Sequence, residues 1–513
     1  MITETAQKPF KPTFFLYGLF VCIGCSLFLY LDYINLELYY DDAYALQMIR
    51  WDVNEIFSLT TRSDLNPPLY YLILKGYTAI LGDSVFVART FSCLAVFATM
   101  LLAVFPIRKR FGDRVSISFL ILLILFPISQ FLATEIRVYS WAMFFVLATA
   151  ICAYDIYEKG RNRDWIKFTI LAICSAYLHY YALITIGWLF LILGASLLLQ
   201  KKMKWVKFSL VAIACVIAYA PWLAYLFFQL ERASALLQAN AVGWYERIYY
   251  FYYFYSIKKE WLPFSDSAKS FLMYGAAIII VLQIVLIANA LIRAHRKRDK
   301  LSKIGLIALI LFVLPTVSGG IVSYLFYPII AARYMTVMFG LWLFAFAIFL
   351  AQSFESKQFR VVGLLFLLFL VVYGGMRYYA SERHYKEWQS DYMRVKEFVG
   401  PTENNHNIFL SEYYAADALS ALSVYYPDNS FYVLIQKGWY DDFAPFPYKQ
   451  INHEEPFASE FILAQKDSYH HKRLAVAFKE ALDQNFQTTD SLTAMGVRLY
   501  KMKARSVNET ASD

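Results

Sequence analysis

Charged residues and cysteines are both scarce in this sequence. Asp, Glu, Lys and Arg together make up 17% of the 513 residues, against roughly a quarter in soluble domains. All six cysteines fall inside apolar segments, at Cys22, Cys25, Cys93, Cys152, Cys174 and Cys215. The low charge excludes an ordinary soluble protein, and the cysteine positions predict neither a disulfide framework nor a zinc site. We therefore expect no metal site and no required cofactor, although the sequence does not exclude a divalent metal.

The chain is rich in long apolar segments. Hydrophobic residues make up 59% of the chain and aromatic residues 19%. A helix needs about 17 to 25 apolar residues to cross a bilayer. About eleven segments could do so, some near the short end of that range: 14–31, 86–106, 115–134, 138–156, 165–181, 182–199, 206–229, 270–292, 303–326, 334–352 and 359–376. The sequence thus predicts a polytopic α-helical membrane protein with about eleven transmembrane helices.

The net charge of +9 is unevenly distributed. Residues 377–513 carry 15 Lys and Arg against 19 Asp and Glu, a net of −4, so the rest of the chain has a net of +13. The positive excess lies in short segments outside the apolar runs: Lys8 and Lys11, 108–114, 158–164, 201–207, 293–300 and 355–360. Basic loops of this kind face the cytoplasm. The charge therefore indicates membrane topology and no nucleic-acid partner.

All the basic segments share one face only if the run 67–82 does not cross the membrane. We therefore expect this run, which begins with Pro67 and Pro68, to lie along the outer interface as a juxtamembrane helix of the first external loop. The expected location is the cell membrane (cytoplasmic or inner), with a cytoplasmic N-terminus, a retained first span and an extracytoplasmic C-terminus. The outer side would then hold residues 32–67, 135–139, 179–181 and 230–269, and Arg333.

The character of the sequence changes at Arg377, where the long apolar runs end. Short alternating segments predict strands at 407–410, 431–436 and 497–502 and helices at 413–425 and 472–485. We divide the chain into a transmembrane domain, residues 1–376, and a small extracytoplasmic α/β domain with a disordered tail, residues 377–513.

The most informative residues are two adjacent acids, Asp41 and Asp42, just beyond the first span. Carboxylates beside hydrocarbon are costly, which favours a role such as catalytic base or metal ligand. Asp42 also precedes the amphipathic segment 43–51, where it would be a favourable helix N-cap. If the turn is helical, the two side chains cannot both face one atom.

Further candidates lie at the outer ends of later spans. Arg137 would bind phosphate bidentately, or it would pair with Glu135; Tyr139 follows two residues later. Arg333 begins a span, where it would bind phosphate or act as an interfacial anchor. His179 lies at the hairpin between two spans, where a structural role is the commoner one.

The segment 243–261 is too aromatic for an ordinary solvated loop, so we expect it at the membrane interface. Arg247, Lys258 and Lys259 would meet a lipid phosphate there. An aromatic belt with flanking cations explains the same residues.

Six short motifs occur in order along the predicted outer side: Asp41-Asp42, Pro67-Pro68-Leu69-Tyr70-Tyr71, Gly82 with Arg89, Glu135-x-Arg137-x-Tyr139, His179-Tyr180 and Arg333-Tyr334. This arrangement resembles the GT-C class of polyprenyl-phosphate-sugar-dependent glycosyltransferases, most of all the bacterial branch related to protein O-mannosyltransferases and aminoarabinose lipid A transferases. The resemblance covers roughly residues 14–350. It departs from the family where Asp42 replaces the usual Glu, and where Asn66 replaces a frequent His or Lys before the two prolines.

The resemblance implies a GT-C fold and transfer of a sugar from a polyprenyl-phosphate donor to an extracytoplasmic acceptor, which would be a glycolipid, a cell-surface glycan or a protein. It assigns the general base to Asp41, while Asp42 would orient the loop or bind sugar hydroxyls. Two further sets complete the candidate site. The donor phosphate would contact Arg137, Arg333, Lys258 and Arg247, and the supporting residues are Glu135, Tyr139, His179, Asn66, Pro67 and Pro68.

This assignment fits the chemistry of the donor. Its phosphate is already a good leaving group, so the reaction needs one base on the acceptor hydroxyl and cations on the phosphate. A glycosidase would instead need two carboxyls about 5 to 9.5 Å apart across the scissile bond.

Two other classes of function remain alternatives. A lipid-linked-substrate transporter or flippase would carry ionisable groups along its route through the bilayer, whereas the predicted span centres are almost free of them. A non-catalytic scaffold would not depend on Asp41. The sequence fixes neither the sugar, the acceptor nor the metal dependence.

Overall fold

The computed structural model describes residues 14–62, 64, 66–201, 204–237, 253–255, 266–325, 331–400, 407–412, 416–435, 443–452, 458–466, 482 and 484–505. Helices make up most of the first 400 residues, and a six-stranded sheet forms the small C-terminal domain.

The helices of the membrane part follow one another with short connections. They are α1 Phe14–Ile34, α2 Tyr40–Met48, α3 Val53–Arg62, α4 Leu69–Leu81, α5 Val85–Leu102, α6 Arg108–Phe111, α7 Asp113–Leu125, α8 Pro127–Thr134, α9 Tyr139–Glu158, α10 Asn162–Leu178, α11 Tyr180–Leu199, α12 Trp205–Leu237, α13 Asp266–Arg296, α14 Lys300–Leu325, α15 Phe339–Ser353 and α16 Lys357–Val399. A π-helical turn, Ala103–Ile107, joins α5 to α6, and a 3₁₀ helix, Ala332–Met338, precedes α15. Every residue of α15 is buried, so this helix lies at the centre of the bundle.

The chain is a multi-pass membrane protein. Among the described residues, nine helices are long and apolar enough to cross a bilayer. The pair α7 and α8 brings the number to ten, since together they pass the same test although they meet at a bend of 73°. The bend follows from the sequence, because Phe126 precedes Pro127 and a residue before proline is pushed out of the helical conformation.

The predicted number of eleven depends on α10, which corresponds to the segment 165–181. With 17 residues and a charged first turn, α10 is not identified as a span by length and composition. However, the ring centroids of Tyr139 and His179 are 5.7 Å apart. Since Tyr139 begins α9 and His179 follows α10, α10 returns the chain along the whole length of α9.

Three short helices, α2 to α4, form the loop after α1. The run predicted to stay outside the bilayer contains α4, whose 13 residues are fewer than the roughly 20 needed to cross. Pro68 immediately precedes α4, a position where proline fits because its missing N–H has no helical partner. The length of α4 agrees with the expectation that residues 67–82 do not span.

A single 43-residue helix, α16, connects the two parts of the protein. The domain boundary that we placed after residue 376 lies inside this helix. The C-terminal half of α16 packs against the sheet domain through Val395, Phe398 and Val399. The small domain is therefore joined to the last span by continuous helix.

The C-terminal domain contains α17, Ala418–Tyr425, and six strands: β1 Ile408–Glu412, β2 Ser430–Ile435, β3 Tyr448–Asn452, β4 Glu460–Lys466, β5 Phe486–Ala494 and β6 Val497–Ala504. The sheet order is β3-β2-β1-β4-β6-β5, with β3, β2, β1 and β4 parallel and β6 antiparallel to both neighbours. The three predicted strands match β1, β2 and β6, while β3, β4 and β5 were missed. Most of the predicted helix 472–485 and the tail 506–513 lie outside the described residues.

Polar contacts hold this domain against the first loop. Gln47 Nε2 donates to the carbonyl oxygen of Ser423 at 3.1 Å, and Trp51 Nε1 donates to the carbonyl of Pro445 at 3.0 Å. Tyr425 donates to the carbonyl of Leu36. Because these contacts flank α2, they place the small domain directly above the two acids.

Candidate active site

Asp41 and Asp42 both lie in the first turn of α2 and point to different sides of it. Successive residues of an α-helix are rotated by about 100°. Asp41 faces a cavity, whereas the side chain of Asp42 is fully buried. The hypothesis that Asp42 caps the helix is wrong, because α2 begins at Tyr40 and its N-cap position is Tyr39.

Asp42 ties α2 to the segment between α8 and α9. Its Oδ1 accepts the backbone N–H of Ile136 at 2.8 Å, and its Oδ2 lies 3.6 Å from Arg89 Nη2. Burial raises the pKa of Asp42, and Arg89 and the Ile136 N–H offset only part of this rise. Asp42 thus links the first loop to the segment before α9, and its buried side chain does not line the cavity. Its role in the reaction stays a prediction.

Arg89, on α5, contacts both the first loop and the segment between α8 and α9 from inside the bundle. Its side chain is 1% exposed and donates to the backbone carbonyls of Glu37 and Thr134. The loops that carry Asp41 and Arg137 are therefore fixed by one guanidinium. Arg89 enters the sequence prediction only as a motif residue, although a lone arginine in an apolar run indicates a specific role.

Asp41 lies between two arginines. Arg333 donates a hydrogen bond to Asp41 Oδ2, and the side chains of this pair are 41% and 29% exposed. Although burial alone would raise it, the charges of Arg137 and Arg333 hold the pKa of Asp41 below its ordinary value. Asp41 is therefore ionised at neutral pH and open to the cavity.

The cavity beside Asp41 has a volume of about 630 Å³. Its membrane-side wall contains five of the twelve predicted residues: Asp41, Glu135, Arg137, Tyr139 and Arg333. Its other wall was not predicted. That wall contains Arg377 and Trp388 from α16, Asp417 next to α17, Lys466 at the end of β4, and residues 495–497, where β5 connects to β6.

Pro67 and Pro68 lie immediately before α4, next to a hydrogen-bonded group around Asp64. Tyr71, in the first turn of α4, donates to Asp64 Oδ2 at 2.5 Å, and Arg137 Nη1 lies 3.4 Å from the same hydroxyl. Asn66 donates to the other oxygen of Asp64 at 3.1 Å. Pro67 and Pro68 are buried and precede the helix that presents Tyr71. Tyr71 thus contacts Arg137, while Asn66, Pro67 and Pro68 lie outside the cavity wall and their supporting role stays a prediction.

His179 lies beneath the arginines and is 3% exposed. Its Nδ1 accepts the backbone N–H of Tyr181 at 3.1 Å, and its ring centroid is 5.0 Å from that of Tyr334. Burial, together with the positive charges of Arg137 and Arg333, lowers the pKa of His179 to about 3. His179 is therefore a neutral packing residue under the site.

The remaining candidates are Glu135 and the cations of the segment 243–261. Glu135 lines the cavity, and its backbone carbonyl accepts from Ser92 at 2.6 Å. Arg247 and Lys258, assigned to the donor phosphate, lie outside the described residues, as does Lys259.

The expectation about metal stays a prediction. Within the described part of the chain, no group of three or more His, Cys, Asp or Glu residues could hold a metal ion. Asp41 is paired with Arg333, and Asp42 with Arg89.

Comparison with known proteins supports this description of the fold. Residues 65–225 match the family model of dolichyl-phosphate-mannose-protein mannosyltransferases. The fold is similar to the crystal structure of ArnT from Cupriavidus metallidurans in the apo state, with a TM-score of 0.54 and 12% identity over 95% of this chain and 98% of that one. ArnT from the same organism bound to undecaprenyl phosphate gives a TM-score of 0.54 and 10% identity over 96% of this chain and 98% of that one. No curated protein matches the sequence.

The matched segment includes Pro67, Pro68, Arg89, Arg137 and His179. The structural match extends over nearly the whole chain, including the C-terminal sheet domain. The chain is therefore a multi-pass membrane glycosyltransferase with the GT-C fold.

Proposed function

We propose that this protein transfers a sugar from a polyprenyl-phosphate-linked donor to an acceptor hydroxyl on the extracytoplasmic side, with Asp41 as general base. The observation that carries the proposal is the position of Asp41. It is an ionised carboxylate that faces a cavity of about 630 Å³ also lined by Arg137, Arg333 and Arg377. A cavity of this size is suited to a small ligand or to a few sugar units.

The donor class is supported by two comparisons. The matching family is described by its dolichyl-phosphate-mannose donor, and one similar structure of ArnT contains undecaprenyl phosphate. Both are lipid monophosphates. In this chain, the guanidinium groups of Arg333 and Arg137 are suited to hold such a phosphate, because arginine binds phosphate through parallel hydrogen bonds.

The reaction then follows in one displacement. The acceptor oxygen attacks the anomeric carbon of the sugar, and its proton passes to Asp41. The bond between the anomeric carbon and the phosphate oxygen breaks, and polyprenyl phosphate leaves with its electron pair. Arg333 and Arg137 stabilise the charge that develops on this phosphate, and fixed donors of this kind contribute about 10²- to 10³-fold in rate.

The positions of buried charges argue for transfer over transport. Asp32 lies in the last turn of α1 and Arg89 in the second turn of α5, so both are at the cavity end of their helices. At the other end of the bundle, Asp155 is paired with Arg110. A transporter needs ionisable groups along its route, and these groups cluster at the two ends instead.

The test is sugar transfer by the full-length protein in membranes, with labelled sugars on polyprenyl monophosphate carriers and a lipid and glycan extract as acceptor. Arg333→Ala should raise the KM for the donor by about tenfold or more, because a charged hydrogen bond to phosphate is lost. Arg383→Ala is the matched control, since Arg383 is exposed on α16, pairs with Glu387 at the surface and does not line the cavity. The assay is repeated with EDTA, where we expect at most a modest loss.

No transfer and no release of polyprenyl phosphate from any carrier, with or without a divalent ion, would reject the proposal. Complete loss with EDTA and recovery with one divalent ion would instead make Asp41 a metal ligand.

A further inference from the structure

A second cavity lies at the opposite end of the helix bundle, between α9, α11 and α14. Its volume is about 220 Å³. The residues of α14 that line it recur every three or four positions, on one face of the helix: Lys300, Lys303, Ile304, Ile307, Ala308 and Leu311. The cavity is therefore a crevice that runs along α14 from its first residue.

The mouth of the crevice is basic and polar. Lys300 Nζ lies 2.8 Å from Glu158 and 5.9 Å from the ring centroid of Tyr154, and Lys303 is exposed one turn further along. Tyr157 and Ser196, near the C-terminal ends of α9 and α11, also line the cavity. Two lysines against one glutamate leave a positive charge at the mouth.

The interior of the crevice is apolar and as deep as one leaflet. The eleven helical steps from Lys300 to Leu311 correspond to about 16 Å along the helix axis. Half of the hydrocarbon thickness of a bilayer is about 15 Å. Small side chains at Ala150 and Ala308 widen the crevice between α9 and α14.

We propose that this crevice binds one acyl chain of an anionic phospholipid, with the lipid phosphate on Lys303 and Lys300. A basic mouth above an apolar slot complements such a lipid, and basic pockets between transmembrane helices bind anionic head groups. The neighbouring loop 108–114 adds positive charge at the same end of the bundle. The crevice is distinct from the proposed donor site. The donor site lies at the start of α9, whereas the mouth of the crevice lies at the end of α9.

The test uses full-length protein purified in detergent. Native mass spectrometry counts the retained phosphatidylglycerol and phosphatidylcholine after exchange into an equal mixture of the two, and thermal unfolding is followed as each lipid is added. The unaltered protein should retain one phosphatidylglycerol and be stabilised by it over phosphatidylcholine. Lys303→Glu should weaken phosphatidylglycerol binding by roughly tenfold or more.

Matched variants distinguish lipid bound in the crevice from lipid bound elsewhere on the membrane-facing surface. Ala308→Phe fills the crevice and should abolish the retained lipid, whereas Ile310→Phe, at a lipid-facing position of the same helix, should not. Lys297→Glu changes a nearby exposed charge that does not line the crevice and should leave binding unchanged.

Two results would overturn the proposal. One is equal retention of both lipids, and the other is unchanged retention of phosphatidylglycerol in both Lys303→Glu and Ala308→Phe. If Ala308→Phe does not fold, Lys303→Glu still decides, because Lys303 is exposed.

Discussion

The substitution Asp41→Asn separates the catalytic role of Asp41 from its structural one. Asparagine is nearly isosteric, keeps a side-chain acceptor and removes only the charge. The structural effect should be small because the pair with Arg333 is partly exposed, with side chains 29% and 41% accessible. Exposed ion pairs contribute about 0.2 to 1 kcal/mol, and loss of an acid in the first turn of a helix costs a similar amount.

The catalytic effect should be much larger. A positioned general base contributes about 10²- to 10⁴-fold in rate, which corresponds to roughly 3 to 5 kcal/mol of activation free energy. Donor affinity should be unchanged or higher, since Arg137 and Arg333 lose a carboxylate that competes with the donor phosphate. Asp41→Asn should thus lower kcat at least about a hundredfold while the thermal unfolding temperature changes little.

The assay is sugar transfer in membranes, with expression and thermal stability measured for each variant. Asp52→Asn is the matched control in the same loop, because Asp52 is exposed and accepts the N–H of Glu55 at 2.9 Å, a bond that asparagine can keep. Near-normal kcat in Asp41→Asn would refute the assignment of the base. A fall in kcat that tracked a fall in stability would show that Asp41 is structural.

Three further predictions concern the surroundings of the site. Arg89→Lys keeps the charge but cannot reach both carbonyls of Glu37 and Thr134, so it should destabilise the protein by about 1 to 3 kcal/mol, measured by thermal unfolding; Arg383→Lys should not. The pKa of His179 is about 3 in the folded protein and near 6.5 when unfolded, so the unfolded state binds more protons between these values and stability falls as the pH drops through that window. Between pH 7 and pH 5, the free energy of unfolding should therefore fall by about 2 kcal/mol more in the unaltered protein than in His179→Asn. An equal fall in both proteins would show that His179 is already protonated in the folded state. Reporter fusions should be cytoplasmic at 110, 160, 203, 297 and 357 and external at 60, 250 and 400; a cytoplasmic reporter at 60 with an external one at 110 would contradict the topology.

The sequence alone determined the membrane character of the protein and most of its spans, because apolar runs and basic loops are local features. It also indicated that Asp41 and Asp42 would face different directions if their turn were helical, since adjacent residues of a helix cannot face one point. It did not fix the span count, because α10 is short and begins with charge, and only the proximity of Tyr139 and His179 shows that it returns along α9.

The tertiary structure alone decided the far wall of the cavity. Arg377, Trp388, Asp417 and Lys466 are more than 200 residues from Asp41 in the sequence, and no local pattern relates them to it. They reach the site because α16 is continuous and because the small domain is hydrogen-bonded to the loop around α2. The same is true of Asp42, whose role depends on the N–H of Ile136 and on the guanidinium of Arg89, contacts between distant segments that only the packed bundle brings together.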